Sequence, residues 1–175
     1  MALGTLSPAR PPADSLAARL LPIAALVLAS LLSLLPLPLP GGLALSPALA
    51  LMVTYHWTLY RPELLPAPAL FAVGMTEDLL SGGLPGVTAL MLVLCREAVL
   101  RQRRRFVDRP FGFVWGGFAV VAGAAMAFAW GVNALCDLAL LDIRDTLFRA
   151  VLTIALFPGA SFLLARAQRA LMSAG

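Results

Sequence analysis

Apolar residues are grouped into six runs that prolines, glycines or charged residues separate. A helix that crosses a bilayer needs about 20 mostly apolar residues. The pattern therefore predicts about six transmembrane helices, at 16–35, 43–60, 64–80, 84–100, 112–135 and 149–165. We expect an all-α polytopic membrane protein with a single helical domain.

Two of these runs admit a second interpretation. The first run follows Arg10 and Arg19 and resembles a secretory signal peptide. Because more apolar runs follow it, we interpret it as an uncleaved first span. The third run is short and contains Pro66, Pro68 and Gly74, so it either crosses the membrane or enters it and turns back.

The arginines predict the orientation of the chain. Six spans place both termini on one side, and most arginines fall on that same side. Because basic loops stay in the cytoplasm, both termini are predicted to be cytoplasmic. The domains are then a cytoplasmic segment at 1–15, the membrane domain at 16–165 and a cytoplasmic tail at 166–175. The most polar stretch, "RQRRRFVDRP", is predicted to be a cytoplasmic basic loop carrying Arg101, Arg103, Arg104, Arg105 and Arg109. This stretch would also attract the head groups of anionic membrane lipids or an acidic cytoplasmic partner.

The composition supports a membrane protein and excludes several other classes. The chain is 61% apolar and 13% charged, whereas soluble domains are roughly 45–50% apolar and about 25% charged. The net charge of +4 comes from arginines at predicted cytoplasmic ends, so we assign it to topology rather than to nucleic-acid binding. Cys95, Cys136 and His56 have no metal-binding or redox spacing, so no metal and no cofactor is predicted.

Two adjacent carboxylates, Glu77 and Asp78, interrupt the third apolar run. A charge at bilayer depth costs about 2.5–3.5 kcal/mol on insertion scales, so it must be paired, hydrated or close to the interface. Asp78 shares a helix face with Gly74 and Gly82, which lets another helix come close. Either Asp78 accepts hydrogen bonds from amides of the "SGGLPG" turn, or it binds a partner or a solute. Catalysis is disfavoured because adjacent helical residues do not face each other.

Three further patterns concern the ends and faces of the predicted helices, and two of them have both a structural and a functional interpretation. Arg61-Pro62 is a topology anchor with a helix stop, or Arg61 pairs with a carboxylate of a neighbouring span. In the second run, Tyr55, Trp57 and Tyr60 are predicted to lie at a membrane–water interface. The fifth run carries small residues on one face, which serve either packing within the protein or the docking of a partner's helix: Gly112, Gly116, Ala119, Gly123, Ala127 and Gly131.

The segments "YHWTLYRPELLP" and "FAVGMTEDLLSGGLPGVTALML" together resemble the central signature of the rod shape-determining protein MreD family. The matching positions are Tyr55, Trp57, Arg61, Pro62, Gly74, Asp78, Leu79, Leu80, Gly82, Leu84 and Gly86. All of these except Leu79, Leu80 and Leu84 are candidates for partner binding or for structure. The resemblance implies a non-enzymatic protein of the bacterial inner membrane. It also implies an MreC-like bitopic partner, an MreB-like filament, and a RodA-type polymerase with its transpeptidase. Such a complex builds side-wall peptidoglycan and maintains rod shape.

The resemblance also supports a second hypothesis, because that family is similar in fold to the substrate-binding subunits of vitamin transporters. The chain would then be a solute-binding membrane subunit. Its pocket would need several polar side chains that converge in an apolar cavity. The candidates for those side chains are Thr54, His56, Thr76, Glu77, Asp78 and Ser81.

Overall fold

The computed structural model describes residues 16–35, 37–38, 44–45, 47–106, 110–137 and 143–173. Within these ranges the chain forms six α-helices: α1 (Leu16–Ser33), α2 (Leu49–Tyr60), α3 (Ala67–Ser81), α4 (Val87–Phe106), α5 (Phe111–Asp137) and α6 (Ile143–Ser173). A 3₁₀-helix (Pro62–Leu64) links α2 to α3. Between α1 and α2, a strand pair joins β1 (Leu37–Pro38) to β2 (Ala44–Leu45) in antiparallel register. The predicted all-α fold is confirmed for the described residues, apart from this two-residue strand pair.

The short helix α2 lies at the centre of the bundle. Its ten consecutive residues 50–59 are all buried, so every side of the helix is covered. A helix that is apolar all round is typically buried rather than amphipathic, and α1, α4 and α6 pack around this one. The core therefore surrounds α2, and the longer helices form its wall.

The second predicted span is too long at its N-terminal end. It was expected from residue 43, whereas α2 begins at Leu49. Pro47 precedes the helix, and the segment before it holds β2, which pairs with β1 instead of continuing a helix. Twelve residues form a helix of about 18 Å, well short of the roughly 30 Å hydrocarbon core of a bilayer.

Two other helices are longer than the apolar runs predict. Helix α4 continues to Phe106, so Arg101, Arg103, Arg104 and Arg105 lie in a helix rather than in a loop. Arg109 lies outside the described residues. Helix α6 covers 143–173, beyond both ends of the predicted 149–165. Arginine and glutamine favour helices, so charged residues end the apolar run without ending the helix.

By length and composition alone, two of the described helices are able to cross a membrane: Phe111–Cys136 of α5 and Ile143–Arg169 of α6. In the most apolar 18-residue stretch of each helix, only 22% of the residues in α5 and 17% of those in α6 are buried inside the protein. The core helix of a soluble protein is mostly buried, so these exposed apolar faces are better suited to lipid. The six-span count and the cytoplasmic position of both termini stay predictions.

Polar contacts join α2 and α5 to the other helices. The N–H of Ala48 donates to Thr153 Oγ1 of α6 at 3.1 Å, and the N–H of Leu49 donates to Ser33 Oγ of α1 at 3.2 Å. These bonds satisfy amides that the first turn of a helix leaves unpaired. In α6, Pro158 cannot donate to the carbonyl of Ile154, and Trp115 Nε1 of α5 donates to that oxygen at 3.0 Å. The neighbouring helix α5 thus supplies the hydrogen bond that Pro158 cannot make.

Candidate functional site

Asp78 caps helix α4 from the neighbouring helix α3. Its Oδ2 accepts hydrogen bonds from the N–H groups of Gly86 at 2.8 Å and Thr88 at 3.0 Å, with a longer contact to Ala89 at 3.5 Å. These amides belong to the start of α4 and have no acceptor within that helix. The positive end of the helix dipole also favours a carboxylate there. The structure therefore matches the interpretation in which Asp78 pins the turn between α3 and α4.

Gly74 allows α4 to pack directly against α3, one turn before Asp78. A Cβ atom at Gly74 would overlap the Cα of Ala89 and lie only 2.7 Å from its nitrogen. Contacts this short do not occur between real atoms, so any side chain here must push α4 away. The predicted close approach at the Gly74–Asp78 face is confirmed, and the approaching helix is the protein's own α4.

Two other glycines of the same segment shape the turn. Gly82 ends α3 in the left-handed conformation with φ of 68°, and Gly86 has φ of 96°. Side chains disfavour both conformations. Gly74, Asp78, Gly82 and Gly86 therefore form one structural unit, the α3–α4 turn, in which each has a different task.

Glu77 lies beside Asp78 in sequence but faces other helices. Ser30 Oγ of α1 donates to Glu77 Oε2 at 2.7 Å. Arg149 of α6 lies beyond ion-pair distance, and its positive charge acts on the same carboxylate. Glu77 is buried, and its hydrogen bond with Ser30 connects α3 to α1 inside the bundle. The sequence pattern did not predict that Glu77 lies near Ser30 and Arg149. The available signal was Arg149, the cation at the start of an apolar run, because a carboxylate in another run needs such a partner.

Tyr55 and Trp57 lie inside the protein rather than at an interface. Only 1% of Tyr55 and 2% of Trp57 is exposed, so the predicted interfacial position is wrong for these rings. Tyr55 Oη donates to the carbonyl of Val114 at 3.0 Å, and its ring packs edge-on against Phe118 and Phe157. The physical reason is that α2 is central and presents no face to the surroundings. Tyr60, at its end, is 42% exposed.

Arg61 and Pro62 end α2, as the helix-stop interpretation predicts. The N–H of Arg61 donates to the carbonyl of Trp57, and Pro62 begins the 3₁₀-helix. An arginine from the predicted basic loop binds a backbone carbonyl at this end of α2. Arg103 Nε donates to the carbonyl of Leu59 at 2.8 Å, where a cation suits the negative end of the helix dipole. Arg103 thus joins the end of α4 to the end of α2.

The small residues of α5 face away from the bundle. A Cβ atom at Gly112, Gly116, Gly123 or Gly131 would meet no atom within 4 Å. The buried positions of this helix, Val114, Phe118, Ala122 and Met126, lie on another face. Packing within the protein therefore does not account for these glycines. We call the six residues, namely Gly112, Gly116, Ala119, Gly123, Ala127 and Gly131, the small-residue face of α5.

The polar residues proposed for a solute pocket do not converge. Thr54 and Thr76 donate to carbonyls of their own helices, and Ser81 donates to the carbonyl of Asp78. The cavity beside Glu77 holds about 80 Å³, whereas ligand sites span about 300–1,000 Å³. Of the six, only His56 combines a larger cavity with ring nitrogens that have no partner among the described residues.

The described part of the chain brings together no metal-binding set. No group of three His, Cys, Asp or Glu side chains there is arranged to hold an ion. Cys95 is buried and Cys136 is exposed, and both are free thiols. The site is therefore best described by its packing and hydrogen bonds.

The chain matches the model of a known protein family. The family model described as rod shape-determining protein MreD matches residues 14–166. This range includes all six described helices except the last residues of α6. No curated protein and no solved structure matches the chain.

Proposed function

The chain belongs to the MreD family of rod shape-determining proteins, membrane proteins of bacteria, and from this premise we propose a specific role for it. It is a non-enzymatic scaffold of the inner membrane that binds the single membrane helix of an MreC-like partner. Through that partner it supports side-wall peptidoglycan synthesis by a RodA-type polymerase and its transpeptidase, in connection with an MreB-like filament.

The small-residue face of α5 carries this proposal. Helices associate in membranes chiefly through close packing, which residues without bulky side chains permit. Four glycines of this face have open space where a side chain would be. A groove of about 430 Å³ between α4 and α5 lies alongside, and Val120, 73% exposed, lines it. A partner helix placed on the glycines would insert its larger side chains into this groove.

The proposal includes the predicted topology. Six segments would cross the membrane between residues 16 and 165, with both termini in the cytoplasm. The short helix α2 fits this arrangement because the longer helices surround it and shield it from lipid. The basic end of α4 would then face the cytoplasm, where the filament lies.

A scaffold role also fits the two carboxylates. Asp78 accepts hydrogen bonds from backbone amides, and Glu77 interacts with Ser30 and Arg149. Both are held by groups of this same chain, in geometries that stabilise the bundle. Neither faces the other across a space where a substrate would react.

The first test is recovery of partners with a tagged protein from gently solubilised native membranes. We expect a single-span periplasmic protein to be recovered together with wall-synthesis enzymes. Recovery of paired ATPase subunits with a coupling membrane protein would instead support the transporter hypothesis and contradict the scaffold.

A sharper version uses the double substitution Gly116→Leu and Gly123→Leu. Because both positions have open space, the variant should fold normally and lose at least tenfold in partner recovery. Gly159→Leu is the matched control, since Gly159 of α6 also has open space but lies off this face. Equal recovery with all three proteins would exclude the small-residue face as the interface.

A further inference from the structure

A cavity of about 590 Å³ lies between the last turns of α2, the start of α5 and the C-terminal half of α6. Its volume falls within the range of about 300–1,000 Å³ that is typical of ligand sites. Tyr55 and Phe157 line its deep end and pack against each other. Arg169 lines it some twelve residues further along α6, about 18 Å at 1.5 Å per residue. The cavity is therefore elongated along the helix axes.

The wall of this cavity is mostly hydrocarbon. Phe111, Phe157 and Phe162 contribute rings from α5 and α6, and Leu59 contributes an aliphatic side chain from α2. Phe111 and Phe162 are about half exposed, so the cavity opens to the surroundings on its α5–α6 side. In a helix that lies in a bilayer, these surroundings are lipid. A wall of this kind suits an acyl chain.

The end of the cavity is basic. Arg169 lines it together with Gln168, and no acidic side chain occurs among the lining residues that the structure describes. Arginine binds phosphate oxygens through several parallel N–H donors. An anionic head group is therefore complementary to this end in charge and in hydrogen bonding.

His56 adds a polar group to the apolar wall. Only 3% of it is exposed, and neither ring nitrogen has a hydrogen-bond partner in the described part of the chain. A buried polar group without a partner is unfavourable. Both nitrogens are covered in this ring orientation, so an ester carbonyl or a hydroxyl between the head group and the acyl chain would supply a partner when the ring turns towards the cavity.

We propose that this cavity holds one anionic phospholipid of the cytoplasmic leaflet. Its phosphate lies at Arg169, its glycerol and ester groups extend towards His56, and an acyl chain lies along the phenylalanines. The site lies apart from the small-residue face of α5, so it does not depend on the proposed partner, whereas its assignment to the cytoplasmic leaflet rests on the proposed topology.

Native mass spectrometry of the full-length protein, extracted gently from its membrane, tests this proposal. We expect one retained phospholipid with an anionic head group. Arg169→Gln should lower the retained fraction about fivefold, the equivalent of about 1 kcal/mol per arginine near the surface. Arg166→Gln is the matched control, because Arg166 lies on the same helix but does not line the cavity. An equal effect of both substitutions would reduce the interaction to general charge attraction and overturn the proposal.

A second measurement follows thermal unfolding in mixed micelles with phosphatidylglycerol or with phosphatidylcholine of the same chains. The wild type should gain more stability with phosphatidylglycerol than with phosphatidylcholine, and His56→Phe should show a smaller gain while remaining folded without lipid. Equal gains with both lipids, or an unchanged gain in His56→Phe, would contradict the proposed position of the head group and ester groups. A retained water-soluble solute would replace the lipid with another ligand class.

Discussion

Asp78 and Glu77 follow one another in α3 and serve different parts of the molecule, because adjacent helical side chains point about 100° apart. Asp78 faces the start of α4 and accepts its amides. Glu77 faces α1 and α6 and accepts from Ser30. The cost of placing a carboxylate in an apolar helix is thus offset by hydrogen bonds in one case and by a hydroxyl with a nearby cation in the other.

Substitution of Asp78 should separate its shape from its charge. Asp78→Asn keeps one acceptor oxygen and should lose about 1 kcal/mol of stability, as a weakened helix cap does. Asp78→Leu leaves the amides of Gly86 and Thr88 without an acceptor and should lose about 1–3 kcal/mol for each. The readout is the yield of folded protein and its melting temperature in detergent.

Asp145→Leu is the control for this experiment, since Asp145 is an exposed acid in the first turn of α6. If Asp78→Leu were as stable as Asp145→Leu, the cap would not contribute to stability. Normal yield with lost partner recovery in Asp78→Asn would instead assign Asp78 to binding.

At the scale of the helices, the apolar runs predict where helices occur but not where they end. A run ends at the first charges, whereas α4 and α6 continue through arginines because nothing in those residues breaks a helix. The close packing at Gly74 was predictable, since its spacing from Asp78 places both on one face. The contact of Glu77 with Ser30 was not, because 47 residues separate them and no local pattern links them.

Gly74→Ala tests the close packing of α3 and α4. An added Cβ would overlap backbone atoms of Ala89, which cannot move aside as a flexible side chain does. We expect a loss of about 1–3 kcal/mol, typical of overpacking, and a lower melting temperature.

Gly131→Ala is the matched control, because Gly131 is also in a helix but has open space around it. Alanine should stabilise this position by about 0.5–1 kcal/mol relative to glycine. The same sign of change at both positions would show that helix propensity rather than packing determines the effect.

At the scale of the whole molecule, contacts between distant segments hold the bundle together. Thr153 of α6 accepts from Ala48, 105 residues earlier, and Phe157 stacks on Phe118 and meets Tyr55. The positive charge of Arg149 in α6 also acts on the Glu77 carboxylate in α3. Helix α6 therefore contributes to several parts of the core at once, although most of its surface is exposed.

The link between Glu77 and Arg149 should appear in a double-mutant cycle. Glu77→Gln removes a charge interaction that acts beyond ion-pair distance and should lose about 1 kcal/mol, as for a partly exposed pair. Arg149→Gln should lose a similar amount. The double variant should be more stable than the sum of both losses predicts. Strict additivity in thermal unfolding would show that the two groups do not interact.

The contacts of α6 with α2 have a consequence for the synthesis of the protein. A ribosome makes α2 before α6, so the amide of Ala48 has no Thr153 hydroxyl and the ring of Tyr55 has no contact with Phe157 until about 100 further residues have been made. Until then, the central helix has an open side within the insertion machinery. A chain that terminates before α6 is consequently an unfinished bundle with an exposed centre, which membrane proteases and chaperones can distinguish from the complete protein.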